Sequence, residues 1–443
     1  MSDETKYMND LEELKDIIDF IEPDNEINKN VDQIIDTCFE LIDYYISLNP
    51  CAISEPDFEE DLIDELEEIM IEQLDKNLTD KELEELEEMI EYSVEQYFKC
   101  IFPPRSYDES IILTQPNIEV IQQKLVYLMS KPQPVQRTIE WYQTRHNLIT
   151  ASNAYKAFEN QSVQNQLIYE KCQPLISKEM LDSSKPQQVN VNTTLHWGQK
   201  YEPLSVLIYE YKYNTKVGDF GCIPHDTYKF IGASPDGINI DKNSERFGRM
   251  LEIKNIVNRE IDGIPKKEYW IQMQMQMETC DLDECDFLET KFQEYPTSED
   301  FLNDGTFNKT HNNQQKGIIM YFSNSDGNPK YFYMPLSIDT WDDFEVWESK
   351  TIDENQELAW ISNYYWKLDI ISCVLVPRNK QWFNSNVSQL IDIWDTILKE
   401  RDTGYQHRCP QKRIIKPKDD TNKNLEISDL ELKECLINIK NKE

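Results

Sequence analysis

The 443-residue sequence lacks any apolar run close to the roughly 18 residues that a membrane-spanning helix requires. Its opening residues, MSDETKYMNDLEELKD, lack the basic and then apolar order of a secretory signal peptide. Its ten cysteines contain no CxxC pair and its five histidines are dispersed, which argues against structural zinc and a disulfide framework. We therefore expect a chain that is neither secreted nor inserted in a membrane, with reduced thiols in the cytoplasm or nucleus. Any metal would be held by oxygen ligands, as suits Mg²⁺ or Mn²⁺.

Basic residues are scarce, and the formal net charge is −38. A nucleic-acid-binding protein usually carries a basic face, so this charge at first argues against a polyanionic partner. The acid is unevenly distributed, however, because residues 1–100 hold 33 Asp and Glu against 6 Lys and Arg. In the rest of the chain the numbers of acidic and basic residues are much closer to equal, so the charge of that part does not argue against a polyanionic partner.

Residues 1–104 are predicted to form an acidic, all-helical N-terminal region, because apolar residues recur there at three-to-four spacing. Thr79 and Glu82 have the spacing of a capping box, which predicts the start of one helix. This region is either a solvated helical bundle or hairpin, or a docking or DNA-mimicking module. The helical segments are DLEELKDIIDFIE, VDQIIDTCFELIDYYI, EEDLIDELEEIMIEQL and TDKELEELEEMIEYSVEQYF.

The composition changes after residue 104. Prolines mark a connector over 105–135, and residues 136–404 then mix helical and β-rich segments, which predicts an α/β (α+β) domain with a helical C-terminal part. Residues 405–443 are predicted to be a basic, flexible tail that either keeps the chain soluble or contacts phosphates. Six tryptophans that follow the predicted strand KYFYMPL are expected on core-facing helices: Trp341, Trp347, Trp360, Trp366, Trp382 and Trp394.

Two short segments carry chemistry: GASPDG, which contains Asp236, and LEIK, which contains Glu252 and Lys254. Alternate side chains of a strand share a face, so Glu252 and Lys254 point the same way. If the segments pair as a hairpin, Asp236 approaches Glu252, and two carboxylates on rigid strands make a site for a hard cation. A lysine beside metal-bound water fits the hydrolysis of a phosphodiester. Each segment alone is common, one as a turn and the other as an exposed ion pair.

In this order, GASPDG and LEIK resemble the catalytic core of the PD-(D/E)XK nuclease superfamily, with Asp236, Glu252 and Lys254 on its three signature positions. More narrowly, residues 136–400 resemble the lambda-exonuclease and YqaJ-type viral recombinase group. The resemblance implies a restriction-endonuclease-like core, in which helices flank a central mixed β-sheet. It also implies one or two Mg²⁺ or Mn²⁺ ions, bound by Asp236, Glu252 and the carbonyl of Ile253.

Three further motifs extend the resemblance. WYQTRHNLITAS is similar to the group's opening motif, which implies that Arg145 and Ser152 bind the 5′-phosphate of a DNA end. HWGQKYEP resembles the helix with an additional active-site carboxylate, here Glu202, which would support a second ion or its water. YWIQMQMQM matches the group's Tyr-x-x-Gln-x-Gln helix, which implies that Gln272 approaches the catalytic lysine or the substrate. Read alone, ITAS is only a helix N-cap and Glu202 only a solvent-facing residue.

The resemblance predicts a metal-dependent DNA exonuclease that resects double-stranded ends from the 5′ side in viral or phage-type recombination and repair. Double-stranded DNA ends would be its substrate, and a single-strand annealing protein and further copies of the chain are candidate partners. A viral source would place it in the host cytoplasm or nucleus. Two alternatives stay open: a structure-specific endonuclease of the same superfamily, and a non-catalytic protein that binds DNA ends.

Overall fold

The computed structural model describes residues 26–73, 78–108, 117–136, 138–175 and 190–410. Its helices are α1 (Glu26–Leu48), α2 (Phe58–Gln73), α3 (Asp80–Cys100), α4 (Ile118–Ser130), α5 (Ile139–His146), α6 (Ala151–Ala154), α7 (Gln161–Cys172), α8 (Thr194–Tyr213), α9 (Lys267–Cys280), α10 (Ser298–Asn303), α11 (Trp341–Glu354) and α12 (Lys380–Thr403). Its strands are β1 (Tyr107–Asp108), β2 (Ile149–Thr150), β3 (Val217–Gly218), β4 (Ile223–Pro224), β5 (Ile231–Ala233), β6 (Gly237–Asn239), β7 (Met250–Asn255), β8 (Glu284–Glu294), β9 (Lys316–Ser323), β10 (Pro329–Tyr333) and β11 (Ala359–Pro377). The helix predicted at 10–22 and the tail beyond residue 410 lie outside the described residues.

The described part of the acidic N-terminal region consists of three long helices and the turns between them, and it forms no strand up to residue 104. The predicted capping box begins α3: the Glu82 amide donates to Thr79 Oγ1 (3.4 Å), and the Thr79 amide donates to the Glu82 carboxylate (2.8 Å). Apolar side chains of α2 and α3 are buried, while runs of acids such as Glu84 and Glu85 face solvent. These helices therefore present an acidic outer surface and an apolar inner one.

The inner surface of these helices joins the core of the following domain. Leu62 and Ile90 belong to the same buried apolar cluster as Trp270 of α9 and Trp382 of α12. Arg105, in the predicted connector, is buried where these parts meet, and its guanidinium donates to main-chain carbonyls on both sides. The acceptors are the oxygens of Ile53 (3.1 Å), Ser54 (2.9 Å) and Pro265.

The main sheet has the strand order β10-β9-β11-β8-β7-β6-β3, with β1 paired to β11. It is mixed, because β7 and β8 run parallel while β6 and β7 are antiparallel. Leu251 and Ile253 of β7 pack with Tyr209 of α8, and Met250 joins the core that contains Trp270 of α9. The α/β prediction of a central mixed β-sheet flanked by helices is therefore confirmed.

A hairpin brings the two chemistry-bearing segments together. Gly237 pairs with Leu251, and Ile238 pairs with Met250, so β6 and β7 run side by side as the sequence predicts. Gly237 is required by close packing, since an added Cβ would lie 2.1 Å from Val217 Cγ1 of β3. The Pro-Asp-Gly turn therefore sits tightly between two strands.

A second, three-stranded sheet has the order β2-β5-β4. Its β2 pairs in parallel with β5, with Thr150 opposite Gly232. Consequently the ITAS segment lies next to the strand that leads into SPDG. The short helix α6, which follows β2, packs against α9.

The prediction that the chain is helical throughout its later tryptophan-rich part is wrong for residues 359–377. These residues form the long strand β11, which pairs with β9 through its first half and with β8 through its second. The segment is rich in aromatic and β-branched residues, which favour strands. Trp366 is buried against the sheet, but Trp360 is 49% exposed and is not a core residue. Trp341, Trp347, Trp382 and Trp394 lie on helices α11 and α12, as predicted.

Candidate active site

The hairpin places Asp236 beside β7. Its Oδ2 accepts a hydrogen bond from the Ile253 amide (2.7 Å), which fixes the carboxylate against the strand that carries Glu252 and Lys254. Glu252 and Lys254 share the face of β7 toward α9, and Lys254 Nζ donates to Glu252 Oε1 (2.5 Å). The structure therefore brings together the three residues that the sequence predicts as the catalytic core, with the Ile253 main chain between them.

Helix α9 fixes both oxygens of Glu252. Gln272 Nε2 donates to Oε1 (2.7 Å), and Gln276 Nε2 donates to Oε2 (2.7 Å). Gln272 also accepts a long hydrogen bond from Lys254 Nζ (3.5 Å), in agreement with its predicted place beside the lysine. The sequence-based prediction included Gln272 but not Gln276, although the two lie four residues apart on one helical face. That spacing was the available signal.

Lys254 is surrounded by groups that favour its charged form. Burial lowers the pKa of Lys254, but the carboxylates of Glu252 and Asp236 outweigh burial and raise it above its ordinary value. The Tyr269 ring lies 4.6 Å from Nζ and adds a cation–π contact. The side chain is therefore an ammonium at neutral pH, and it adjoins both carboxylates.

Helix α8 is pinned to the end of β7 on both sides of Glu202. Ser205 Oγ donates to Asn255 Oδ1 (2.7 Å), and the Asn255 amide group donates to the Gly198 carbonyl (3.3 Å). Glu202 lies between these two anchors, so its backbone position relative to the catalytic strand is fixed. A helix residue that the sequence alone would leave in solvent is thereby held at the site.

Glu202 and Asp236 line one cavity of about 830 Å³, which also includes Asp219, Tyr333 and the connector residues 133–136. The Glu202 side chain is open to solvent along the cavity, yet the surrounding protein desolvates its carboxylate. This desolvation, followed by the nearby charge of Glu252, raises the pKa of Glu202. The carboxylates at this cavity are therefore close enough to repel one another when they are ionised.

Asp236 is the most strongly affected of these carboxylates. Burial raises its pKa well above the ordinary range, and the charges of Glu252 and Glu202 raise it further. Lys254 and the Ile253 amide act in the opposite direction but do not cancel the effect. A second positive charge at this point would relieve the repulsion.

The protein side chains at this site do not by themselves supply a full set of metal ligands. In the described parts of the chain, no three His, Cys, Asp or Glu side chains are grouped so as to hold a metal ion. Mg²⁺ commonly uses only one or two carboxylates and keeps several waters. Asp236 and Glu252 fit that smaller set, with Glu202 farther out on the cavity wall.

Arg145 and Ser152 lie apart from the hydrogen-bonded cluster. Within the described residues, no hydrogen bond or ion pair joins either of them to the carboxylates. The Arg145 guanidinium lies 4.7 Å from the Trp141 ring, and the Arg145 carbonyl accepts a bond from Lys171 Nζ (2.9 Å). Ser152 is exposed at the start of α6, with its Oγ 3.3 Å from Thr150 Oγ1. Their shared use in binding a DNA end stays a prediction.

Comparisons with known proteins agree with the resemblance. Residues 140–283 match the family model of the YqaJ-like viral recombinase domain, a segment that contains every predicted site residue. An uncharacterized protein of Acanthamoeba polyphaga mimivirus is 30% identical over 351 residues, which are 71% of this chain and 60% of that protein. The chain thus spans less than two thirds of that relative's length.

Solved structures of an alkaline exonuclease from Laribacter hongkongensis, one of them in complex with dAMP, are also similar to the chain. Each is 18% identical, covers 61% of this chain and 95% of its own, and has a TM-score of 0.32. Separately, none of the helices formed by the described residues combines the length and apolarity needed to cross a membrane.

Proposed function

We propose that the YqaJ-like viral recombinase domain at residues 140–283 makes this protein a metal-dependent DNA exonuclease that resects double-stranded ends from the 5′ side. The observation that supports the proposal is the hairpin that fixes Asp236 and Glu252 beside the ammonium of Lys254. Two carboxylates that can hold a cation, beside an ammonium, suit the metal-assisted hydrolysis of a phosphodiester. The proposed setting is viral or phage-type recombination and repair.

Asp236 and Glu252 would hold Mg²⁺ or Mn²⁺, together with the carbonyl of Ile253. Desolvation, followed by repulsion between the carboxylates, raises the pKa of Asp236 and of Glu202, and a bound cation would relieve both effects. When bound, such an ion polarises a water and offsets charge on the phosphate. Glu202, on the cavity wall, would support a second ion or its water.

The chain's own residues orient the reacting groups. Lys254 would direct an attacking water toward the phosphorus and stabilise the negative charge that develops on the phosphate oxygens. Gln272 and Gln276 hold the Glu252 carboxylate in one orientation through separate oxygens. Because these donors are already in place, little reorganisation is needed when substrate arrives.

Arg145 and Ser152 would bind the terminal 5′-phosphate. A guanidinium forms strong charge-assisted hydrogen bonds with phosphate, and the Ser152 hydroxyl is exposed and able to donate. The proposed partners are double-stranded DNA ends, a single-strand annealing protein and further copies of the chain.

The experiment uses the full chain with a linear duplex labelled on either strand, with Mg²⁺, with Mn²⁺ or with EDTA. We expect nucleotides to be released from the 5′-ended strand only when a divalent cation is present. Asp236→Ala and Lys254→Ala should each lower the rate by about 10³-fold or more, since each removes a group acting on the transition state. Undiminished resection by both variants would refute the site.

A closed circular duplex separates the alternatives. An exonuclease leaves it intact, whereas cleavage of the circle would favour a structure-specific endonuclease. Binding of linear ends without cleavage under either metal would favour a protein that only holds DNA ends. Loss of the 5′-phosphate from the substrate should slow resection, and Arg145→Ala should remove that difference.

A further inference from the structure

Three tyrosine rings lie side by side where β9, β10 and β11 meet, and we call Tyr321, Tyr331 and Tyr364 the tyrosine cluster. The Tyr321 and Tyr364 rings are nearly parallel, with centroids 5.8 Å apart and planes 28° apart. The Tyr321 and Tyr331 rings lie opposite each other across the strand pair, with centroids 5.4 Å apart. Each ring is only half-buried, so the cluster presents an aromatic surface to solvent.

The tyrosine cluster continues directly from the catalytic cavity. Tyr333 lines that cavity together with Glu202 and Asp236. Tyr331 precedes it by two residues on β10, so both rings lie on the same face of the sheet. Two residues of a strand span about 7 Å, so the cluster begins about one such step beyond the cavity wall.

Polar groups of α8 hold two of the three rings. His196 Nε2 lies 2.6 Å from the Tyr331 hydroxyl, and Lys200 Nζ lies 4.1 Å from the Tyr364 ring centroid. Lys200 is itself buried and paired with Glu294 (2.5 Å). These contacts hold Tyr331 and Tyr364 in place, Tyr321 packs against both rings, and all three residues stay partly accessible. Cross-strand aromatic pairs do stabilise sheets, but that role alone would be served equally well by buried rings.

We propose that the tyrosine cluster is a stacking platform for unpaired bases of a DNA strand at the end being cut. Every base has an aromatic face, so stacking on tyrosine tolerates any sequence. The choice of unpaired DNA bases as the ligand rests on the proposed nuclease function. When a duplex end opens for cutting, its unpaired bases would lie next to the cavity. In this acidic protein the binding comes from stacking, so its dependence on salt is weaker than for a basic groove.

The test measures binding of a short fluorescent oligothymidylate to the full chain by anisotropy, with EDTA present so that nothing is cut. We expect Tyr321→Ala combined with Tyr364→Ala to weaken binding at least tenfold, because the two changes remove two of the three rings of the platform. The same pair of changes to Phe keeps the rings and should leave binding within about twofold. Phe332→Ala is the matched control, because Phe332 is half-buried on β10 next to Tyr331 but faces the other side of the sheet.

Thermal unfolding of each variant checks that the sheet is intact, and the single Tyr321→Ala variant serves if the double variant is unstable. The inference is overturned if the Ala variants bind as wild type does, or if the Phe variants weaken binding equally. Either result leaves DNA resection by wild type, and hence the proposed function, untouched. Conversely, ring-dependent binding by a protein that never cuts DNA would support the platform and refute the nuclease.

Discussion

At the residue scale, Glu252 is the best-anchored group of the site. Its Oε1 accepts hydrogen bonds from Lys254 and Gln272, and its Oε2 accepts one from Gln276. Hydrogen bonds to a charged acceptor contribute about 1.5–3 kcal/mol each, so losing one is enough to misorient this proposed metal ligand. The orientation of Glu252 therefore depends on α9 as much as on its own strand.

Gln276→Met removes one of these donors while keeping the length of the side chain. We expect the rate of DNA hydrolysis to fall about 10- to 100-fold, with thermal stability changed little. The rate is measured under single-turnover conditions with saturating Mg²⁺. Gln123→Met, on the exposed side of α4, is the matched control. An unchanged rate in Gln276→Met would mean that Gln272 alone orients Glu252.

Asp236→Asn should make the metal-free protein more stable and inactive. The pKa of Asp236 is raised in the fold, so its contribution to stability is present at acid pH and is lost as the pH rises through that raised pKa. Asparagine removes the charge, and its side-chain oxygen can still accept a hydrogen bond from the Ile253 amide. We expect a Tm at least about 2 °C above wild type at pH 8, with the difference shrinking toward pH 4.

Added Mg²⁺ is the second readout for Asp236→Asn. It should raise the Tm of wild type and have little effect on the variant, because a bound ion stabilises only the state that binds it. Asp326→Asn, in an exposed turn, serves as the control. A variant that responds to Mg²⁺ as wild type does would place the ion elsewhere.

Because of Lys171, the free energy of unfolding should change with pH in the alkaline range. Burial, followed by the charges of Arg145 and Arg401, lowers the pKa of Lys171 from 10.5 to about 8. Its contribution to stability is thus complete above pH 10.5 and is lost as the pH falls through 8. Between pH 7.5 and 9.5 wild type should gain on the order of 2 kcal/mol relative to Lys171→Met. Urea unfolding at pH 7.5 and 9.5 measures this, and equal pH slopes for both proteins would contradict it.

At the scale of helices and strands, the features that depend on residues close together in the sequence were predictable. The capping box at Thr79, the turn around Asp236 and the helical spacing of α9 depend on residues within a few positions of one another. The spacing of Gln276 from Gln272 placed both on one face of α9, but the contact of Gln276 with Glu252 was missed because it also depends on how α9 crosses β7.

Strand β11 was mispredicted for a related reason. The prediction grouped Trp360 and Trp366 with the tryptophans of the neighbouring helices, and the true partners of this strand, β9 and β8, are distant in sequence. Pairing with both strands, through two register shifts, decides its conformation. The docking of the N-terminal helices through Arg105 had no sequence signal either, because Arg105 lies in a proline-marked connector.

Arg105→Lys should weaken that docking. The guanidinium reaches three carbonyl oxygens from a planar fork, and an ammonium on a shorter reach does not reproduce this geometry. Leaving a buried carbonyl unpaired costs about 1–3 kcal/mol, so we expect unfolding in urea at clearly lower concentration. An exposed Lys229→Ala variant is the control. A midpoint equal to wild type would show that the apolar core alone holds the helices in place.

At the scale of the whole molecule, the N-terminal helices and the following α/β domain share one buried core. The predicted boundaries at 104 and 135 mark changes in amino-acid composition. That they also mark the limits of separate domains stays a prediction. Trp270 and Trp382 would lose apolar neighbours if the helices were removed, which is the physical reason to expect cooperative unfolding.

The acidic outer surface of α2 and α3 also bears on how fast the protein finds its substrate. Like charges repel over distances set by the ionic atmosphere, about 10 Å at 0.1 M salt. A molecule with a net charge of −38 should therefore meet DNA slowly in dilute buffer. We expect the association rate constant, measured by stopped flow with a labelled duplex end, to rise as NaCl increases from 20 to about 150 mM. Most DNA-binding proteins do the opposite, and a falling rate would mean that a local basic path outweighs the acidic shell.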